Sequence, residues 1–114
     1  MLGDITAVDE VYIVTGYTDM RKAIDGLAAI IDENLSLDSR RSAIFLFCGR
    51  RCDRIKILKW ENDGYVMLYK RLSVAQGHYR WPRKSEEALP LTWQQLEWLL
   101  SGLDIEQPKA FKFS

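Results

Sequence analysis

Arg54-Ile55-Lys56-Ile57-Leu58-Lys59-Trp60, Glu61-Asn62-Asp63-Gly64 and Tyr65-Val66-Met67-Leu68-Tyr69-Lys70-Arg71-Leu72 follow one another without a break, and this stretch decides the fold. Its first and last parts are rich in β-branched and aromatic residues, and the short polar segment between them has turn chemistry. The whole therefore reads as a β-hairpin. Side chains alternate across a strand, so the two faces can be sorted directly. Ile55, Ile57, Lys59, Val66, Leu68 and Lys70 share one face, which reads as core. Arg54, Lys56, Leu58, Trp60, Tyr65, Met67, Tyr69 and Arg71 share the other. That second face mixes cations with aromatic rings, a combination that can hold phosphates and stack on bases or sugars. A plainer reading packs Leu58, Trp60, Met67 and Tyr69 under a terminal helix, with the basic groups reaching out at the edges.

Working outward, Val11 to Thr15 is a short apolar run suited to a strand and Gly16 ends it. Thr18 has the chemistry of an N-cap and Asp19 would lie in the first turn. Met20, Ile24, Leu27 and Ile31 follow helical spacing, which predicts a helix to about Asn34. Ala43 to Cys48 reads as a buried strand and Gly49 to Asp53 as a basic turn. Thr92 and Gln95 form a capping box, Leu91 and Leu96 a hydrophobic staple, and Gly102 suits the end of the helix that follows. The expected architecture is a single α+β domain over residues 1–114. It has a mostly antiparallel sheet of four or five strands, an N-terminal and a C-terminal helix, and flexible tails at 1–9 and 107–114.

The chain has 114 residues, 47% hydrophobic, and a net charge of zero that conceals a segregated one. Residues 40–84 hold twelve Lys and Arg against Asp53, Glu61 and Asp63, a balance of +9, while residues 1–39 sum to −6 and residues 85–114 to −3. A basic centre between acidic flanks attracts polyanions locally even in a neutral molecule. Arg50, Arg51, Arg54 and Lys56 fall within seven residues, with Asp53 as the nearby acid. They are the first candidates for contacting nucleic acid, joined by Lys70 and Arg71 on the hairpin. Arg21 and Lys22 are a second basic pair, placed where a helix dipole disfavours cations, and a salt link from them to Asp19 or Asp25 is an equal reading. Arg80-Trp81-Pro82-Arg83-Lys84 is another basic-aromatic patch, which reads as a structured loop with Trp81 tucked in rather than as a base-stacking site.

No apolar run is long enough to span a membrane, and the first ten residues lack the pattern of a signal peptide, so a cytoplasmic protein is expected. Cys48, Cys52 and His78 are too few for a zinc site, and both cysteines are expected to be reduced. The carboxylates are scattered, with no metal cluster, phosphate-binding glycine loop or triad-like spacing. The expectation is a protein that is not an enzyme and takes no cofactor or metal.

Gly16-Tyr17-Thr18-Asp19-Met20-Arg21-Lys22 with Asp25-Gly26-Leu27 resembles the opening signature of a known family. The likeness continues through Gly49-Arg50-Arg51, Asp53-Arg54-Ile55-Lys56-Ile57-Leu58, Tyr69-Lys70-Arg71-Leu72, Trp81-Pro82 and Leu91-Thr92, and covers roughly residues 10 to 108. The family is the small transposase-B-type accessory protein encoded by the second reading frame of the insertion-sequence-sixty-six class of bacterial mobile elements. Cys52 and His78-Tyr79 depart from its pattern. The resemblance implies an accessory role in DNA transposition beside a separate transposase, with DNA, that transposase and the element's other accessory protein as partners. It carries no catalytic residues over, and it leaves self-association open. An adaptor that docks on the transposase without touching DNA is the alternative, since segregated charge also suits an acidic protein partner.

Overall fold

Ala43-Ile44-Phe45-Leu46-Phe47-Cys48 contains no charged residue, and all six side chains are buried, so this strand must be covered on both faces. A computed structural model of the chain, which describes residues 5–73 and 77–107, shows how. Strands β1 (Glu10–Val14), β2 (Ala43–Cys48), β3 (Arg54–Glu61), β4 (Gly64–Arg71) and β5 (Ala88–Leu91) form one sheet in the order β4-β3-β2-β1-β5. β1 and β2 run parallel and every other neighbour pair is antiparallel. The parallel pair requires a crossover, supplied by helix α1 (Ile24–Ala29) and the π-helical turns Ile30–Asn34 that continue it.

Alternation then assigns the core. Tyr12, Val14, Phe45, Phe47 and Leu58 point to the side covered by α1, where Leu27 and Ile31 meet them. Val11, Ile13, Ile44, Leu46 and Ile55 point to the other side, where helix α2 (Trp93–Leu100) brings Leu96 and Leu99. Tyr12 and Phe45 are register partners in the parallel pair, and their rings stack at 5.3 Å. The hairpin is formed in the expected parity, with Trp60 opposite Tyr65 and Arg54 opposite Arg71. Its apolar residues, however, divide between both layers: Leu58 and Met67 join the α1 side and Ile55 and Ile57 the α2 side. The plainer reading thus holds for Leu58 and Met67, which pack under α1 because the sheet lies between two helical layers, whereas Tyr69 stays exposed.

α2 is built as the sequence predicts. Thr92 Oγ1 accepts from the Gln95 amide at 3.1 Å and Gln95 Oε1 accepts from the Thr92 amide at 2.9 Å. Leu103 N–H reaches Trp98 O at 2.9 Å and Gly102 N–H reaches Leu99 O at 3.0 Å, with Gly102 at φ 82°, closing the helix in a Schellman motif. β5 is a short edge strand, and Pro90 inside it is tolerated because an edge strand needs only one set of backbone partners. Of the expected tails, residues 5–9 place Ile5 and Val8 against the α2-side core, and 108–114 lie outside the described residues.

The first helix departs from expectation at its start. It begins at Ile24 rather than near Met20, and Thr18 does not cap it. Thr18 is buried and its amide donates to Cys48 O at 2.8 Å. The Asp19 carboxylate instead organises a turn, accepting from the Arg21 amide at 2.9 Å. The deciding group is Lys56, only 9% exposed, whose Nζ donates to Met20 O at 2.6 Å and to Lys22 O at 2.7 Å. In a helix those carbonyls would accept from Ile24 and Gly26, so the ammonium replaces the first helical bonds and holds the chain in a turn. Changing Lys56→Met removes both charge-assisted bonds. We expect a loss of about 2 kcal/mol in denaturant unfolding, with faster amide exchange confined to residues 18–23; unchanged stability and exchange would contradict this role.

Candidate nucleic-acid interface

The loops that follow β1 and β2 leave the sheet at one end, and the strands β3 and β5 begin there. Gly49 starts the turn after β2 where a Cβ would lie 2.6 Å from Met20 Cγ, and Cys52 ends it at φ 56°. The turn is fastened from outside. His78 Nδ1 lies 2.8 Å from Arg51 O, the Tyr79 amide donates to Cys52 O at 2.7 Å, and the Leu72 amide donates to Asp53 O at 2.7 Å. Cys52, His78 and Tyr79, the residues that depart from the resemblance, thus meet at one place. With its carbonyls occupied, the turn presents Arg50 and Arg51 outward, both exposed.

A second basic segment is fixed beside it by the end of β1. Trp81 is 4% exposed, and its indole N–H donates to Val14 O at 2.8 Å. The Gly16 amide donates to Pro82 O at 2.9 Å, while Thr15 Oγ1 donates to Ser85 O at 2.6 Å and accepts from the Glu87 amide at 3.0 Å. Trp81 is tucked in as the sequence suggests, and this anchoring brings Arg83 and Lys84 to the same groove as Arg50 and Arg51. The groove is about 1050 Å³ in volume. Leu89, Leu91 and Ile105 give it an apolar wall, and Asp104 and Glu106 lie within its lining. Arg80 is turned toward Asp104, 3.8 Å away, and Lys84 pairs with Glu87. Arg50, Arg51 and Arg83 make no ion pair among the described residues.

The remaining candidates divide. Arg54 and Arg71 stand directly opposite each other at the same end of the sheet, an unfavourable like-charge pair relieved by Asp53, 3.7 Å from Arg54 Nε. Lys70 projects from the opposite face of β4, as its strand position requires. Lys56 is committed to the turn at residues 18–23. Arg21 grips Asp19 through Nε and Nη2 at 2.8 to 3.1 Å, and Lys22 is exposed beside it. Trp60 lies at the far end of the hairpin, edge-on to Tyr65 and under the Arg40 guanidinium at 4.7 Å, so it is not part of this surface. Arg83 and Lys84 were not among the candidates, because some thirty residues of sequence separate them from the Arg50 turn and only the hydrogen bonds to β1 bring them together.

Burial pushes the Cys48 thiol well above its ordinary range, and neighbouring Cys52 adds to the effect, which makes Cys48 a core residue rather than a nucleophile. No group of three or more His, Cys, Asp or Glu capable of holding a metal occurs among the described residues, and no helix there is long and apolar enough to cross a membrane.

A family model described as IS66 Orf2 like protein matches residues 9–110. The chain is 34% identical over 99 residues to the uncharacterized protein y4hO of Sinorhizobium fredii, covering 87% of this chain and 84% of that relative. It is 29% identical over 94 residues to the uncharacterized protein y4jC of the same organism, covering 82% and 79%. No solved structure matches.

The Arg21 grip gives a direct test. Hydrogen bonds from the Arg21 side chain, and then from its backbone amide, hold the Asp19 carboxyl at about 2, below its ordinary 3.8. A depressed carboxyl pKa stabilises the turn above about pH 4 and loses that effect as the pH falls through 2. NMR titration of the Asp19 carboxyl is expected to give a midpoint near 2 that returns toward 3.8 in Arg21→Ala; an ordinary midpoint in the unaltered protein would show the grip absent in solution.

Proposed function

Because the chain belongs to the IS66 Orf2-like family, we propose that it is a non-catalytic accessory factor for DNA transposition that contacts DNA through the basic end of its sheet. The observation that carries this reading is the convergence of Arg50 and Arg51 with Arg83 and Lys84 on one groove, with Arg54 and Arg71 beside it at the same end. Arg50, Arg51 and Arg83, which make no ion pair among the described residues, repel one another, and a phosphate backbone relieves that repulsion while releasing condensed counterions. The rigid turn between β2 and β3 lets Arg50 and Arg51 meet phosphates at little cost in backbone order. Lys22 extends the surface. Arg21 is held by Asp19, and Lys56 supports the surface from within by fixing the turn that carries Lys22. Lys70 lies on the α2 side of the sheet, the side of the groove's apolar wall, and Arg54 and Arg71 on the α1 side at the same end.

The groove also supports a second reading. Its apolar wall and the carboxylates of Asp104 and Glu106 suit a protein segment better than a phosphate backbone, as in an adaptor docked on the transposase or the second accessory protein. Copurification of the element's proteins after nuclease treatment separates the two: an adaptor complex survives digestion, and a DNA-bridged one does not.

Titration of element-end DNA over a series of salt concentrations tests the first reading. Each phosphate contact contributes about 0.9 to the slope of log affinity against log salt. We expect the triple change of Arg50, Arg51 and Arg54 to alanine to lower that slope by roughly 3 and to weaken binding strongly at low salt. No binding by the unaltered protein at low salt, or an unchanged slope in the triple variant, would overturn the reading.

A further inference from the structure

The two edges of the sheet are guarded very differently. β5 has four residues and carries Pro90, which deprives its edge of a donor. β4 has eight residues and no proline, and the run Tyr65-Val66-Met67-Leu68-Tyr69 on it is uncharged and strongly β-prone. No strand among the described residues pairs with its outer side. Leu68 is 41% exposed and Tyr69 53%. An open edge of this length and composition is a template for strand pairing.

The charges at its ends indicate the occupant. Glu61 and Asp63 mark the turn before β4, and Lys70 and Arg71 end it; none of the four makes an ion pair among the described residues. We propose that two copies of this chain pair antiparallel through β4, forming a two-fold dimer with a continuous sheet. A two-fold axis at Met67 sets Arg71 opposite Asp63 of the second copy, Lys70 opposite Gly64 and next to that acid, Tyr69 opposite Tyr65, and Leu68 opposite Val66. Cation meets anion at both ends, ring meets ring, and aliphatic meets aliphatic, each pairing favourable across antiparallel strands. The contact is isologous, so it closes at two copies instead of growing into a fibre. Hydrogen bonding along the strand supplies cohesion, and the end charges set register and orientation.

Only the acidic half of this contact is separable from DNA contact: Glu61 and Asp63 lie at the end of the hairpin away from Arg50 and Arg54, whereas Arg71 lies at the basic end. Sedimentation velocity over a dilution series is expected to show a dimer of about twice 13.3 kDa. The double variants E61K/D63K and K70E/R71E each place like charges at both ends, and each is expected to weaken dimerisation on the order of tenfold or more, a change above about 1.4 kcal/mol. Mixing the two restores complementary ends and should yield a heterodimer, which also shows that both variants are folded. E61K/D63K is expected to retain full affinity for element-end DNA. A monomeric unaltered protein, double variants that remain as dimeric as the parent, or a mixture that forms no heterodimer would each overturn the proposal.

Discussion

The basic end of this protein depends on the hydrogen bonds made by four residues at and just after the end of β1. Val14 O accepts the Trp81 indole, Thr15 binds Ser85 and Glu87, Gly16 binds Pro82, and Thr18 binds Cys48. Gly16 adopts φ 75°, and a Cβ there would lie 3.2 Å from Lys84 O, so the chain can turn and pack this closely only without a side chain. One short segment thereby joins the end of β2, the 81–87 connection and the turn before α1. Polar groups buried this way are costly to leave unpaired, which makes the arrangement a rigid unit rather than a set of independent loops.

The sheet topology gives that unit its chemical character. β1 and β2 are the parallel pair, and the segments leaving their carboxyl ends are where open α/β sheets commonly place ligand sites. Here those segments carry Arg50 and Arg51, while the hairpin returns Arg71 to the same end and the loop anchored by Trp81 adds Arg83 and Lys84. At the opposite end of the sheet Arg41 pairs with Glu10 and Arg40 rests on Trp60, while Glu61 and Asp63 make no ion pair among the described residues. Charge that is segregated along the sequence is thus segregated again along the strand direction.

The hairpin, the capping box of α2 and the buried strand β2 were legible because their signals are local: alternation, a reciprocal cap and an unbroken apolar run. The start of α1 was not. Thr18 and Asp19 have the chemistry of a helix start, and the contrary information lies in Lys56, thirty-four residues away from Lys22, whose ammonium takes the first carbonyls. The candidate surface divides in the same way. Arg50, Arg51 and Arg54 are close in sequence and lie at one end of the sheet, with Arg50 and Arg51 in the groove and Arg54 on the face of β3 that carries Leu58. Lys56 alternates onto the face of β3 covered by the turn before α1, where a cation serves packing. Arg83 and Lys84 join only through contacts with β1 that no local pattern announces, and β5 was hidden by Pro90, which reads as a breaker until the strand is known to be an edge.

The central claim is that the end of the sheet fastened to the end of β1 is where DNA is met. Amide hydrogen exchange with and without element-end DNA tests this most directly, because it reports the footprint residue by residue. The account predicts slowed exchange at residues 49–54 and 80–84 together, with the 61–64 turn unaffected. Protection concentrated at the 61–64 turn, or absent from both basic segments while DNA is bound, would contradict it.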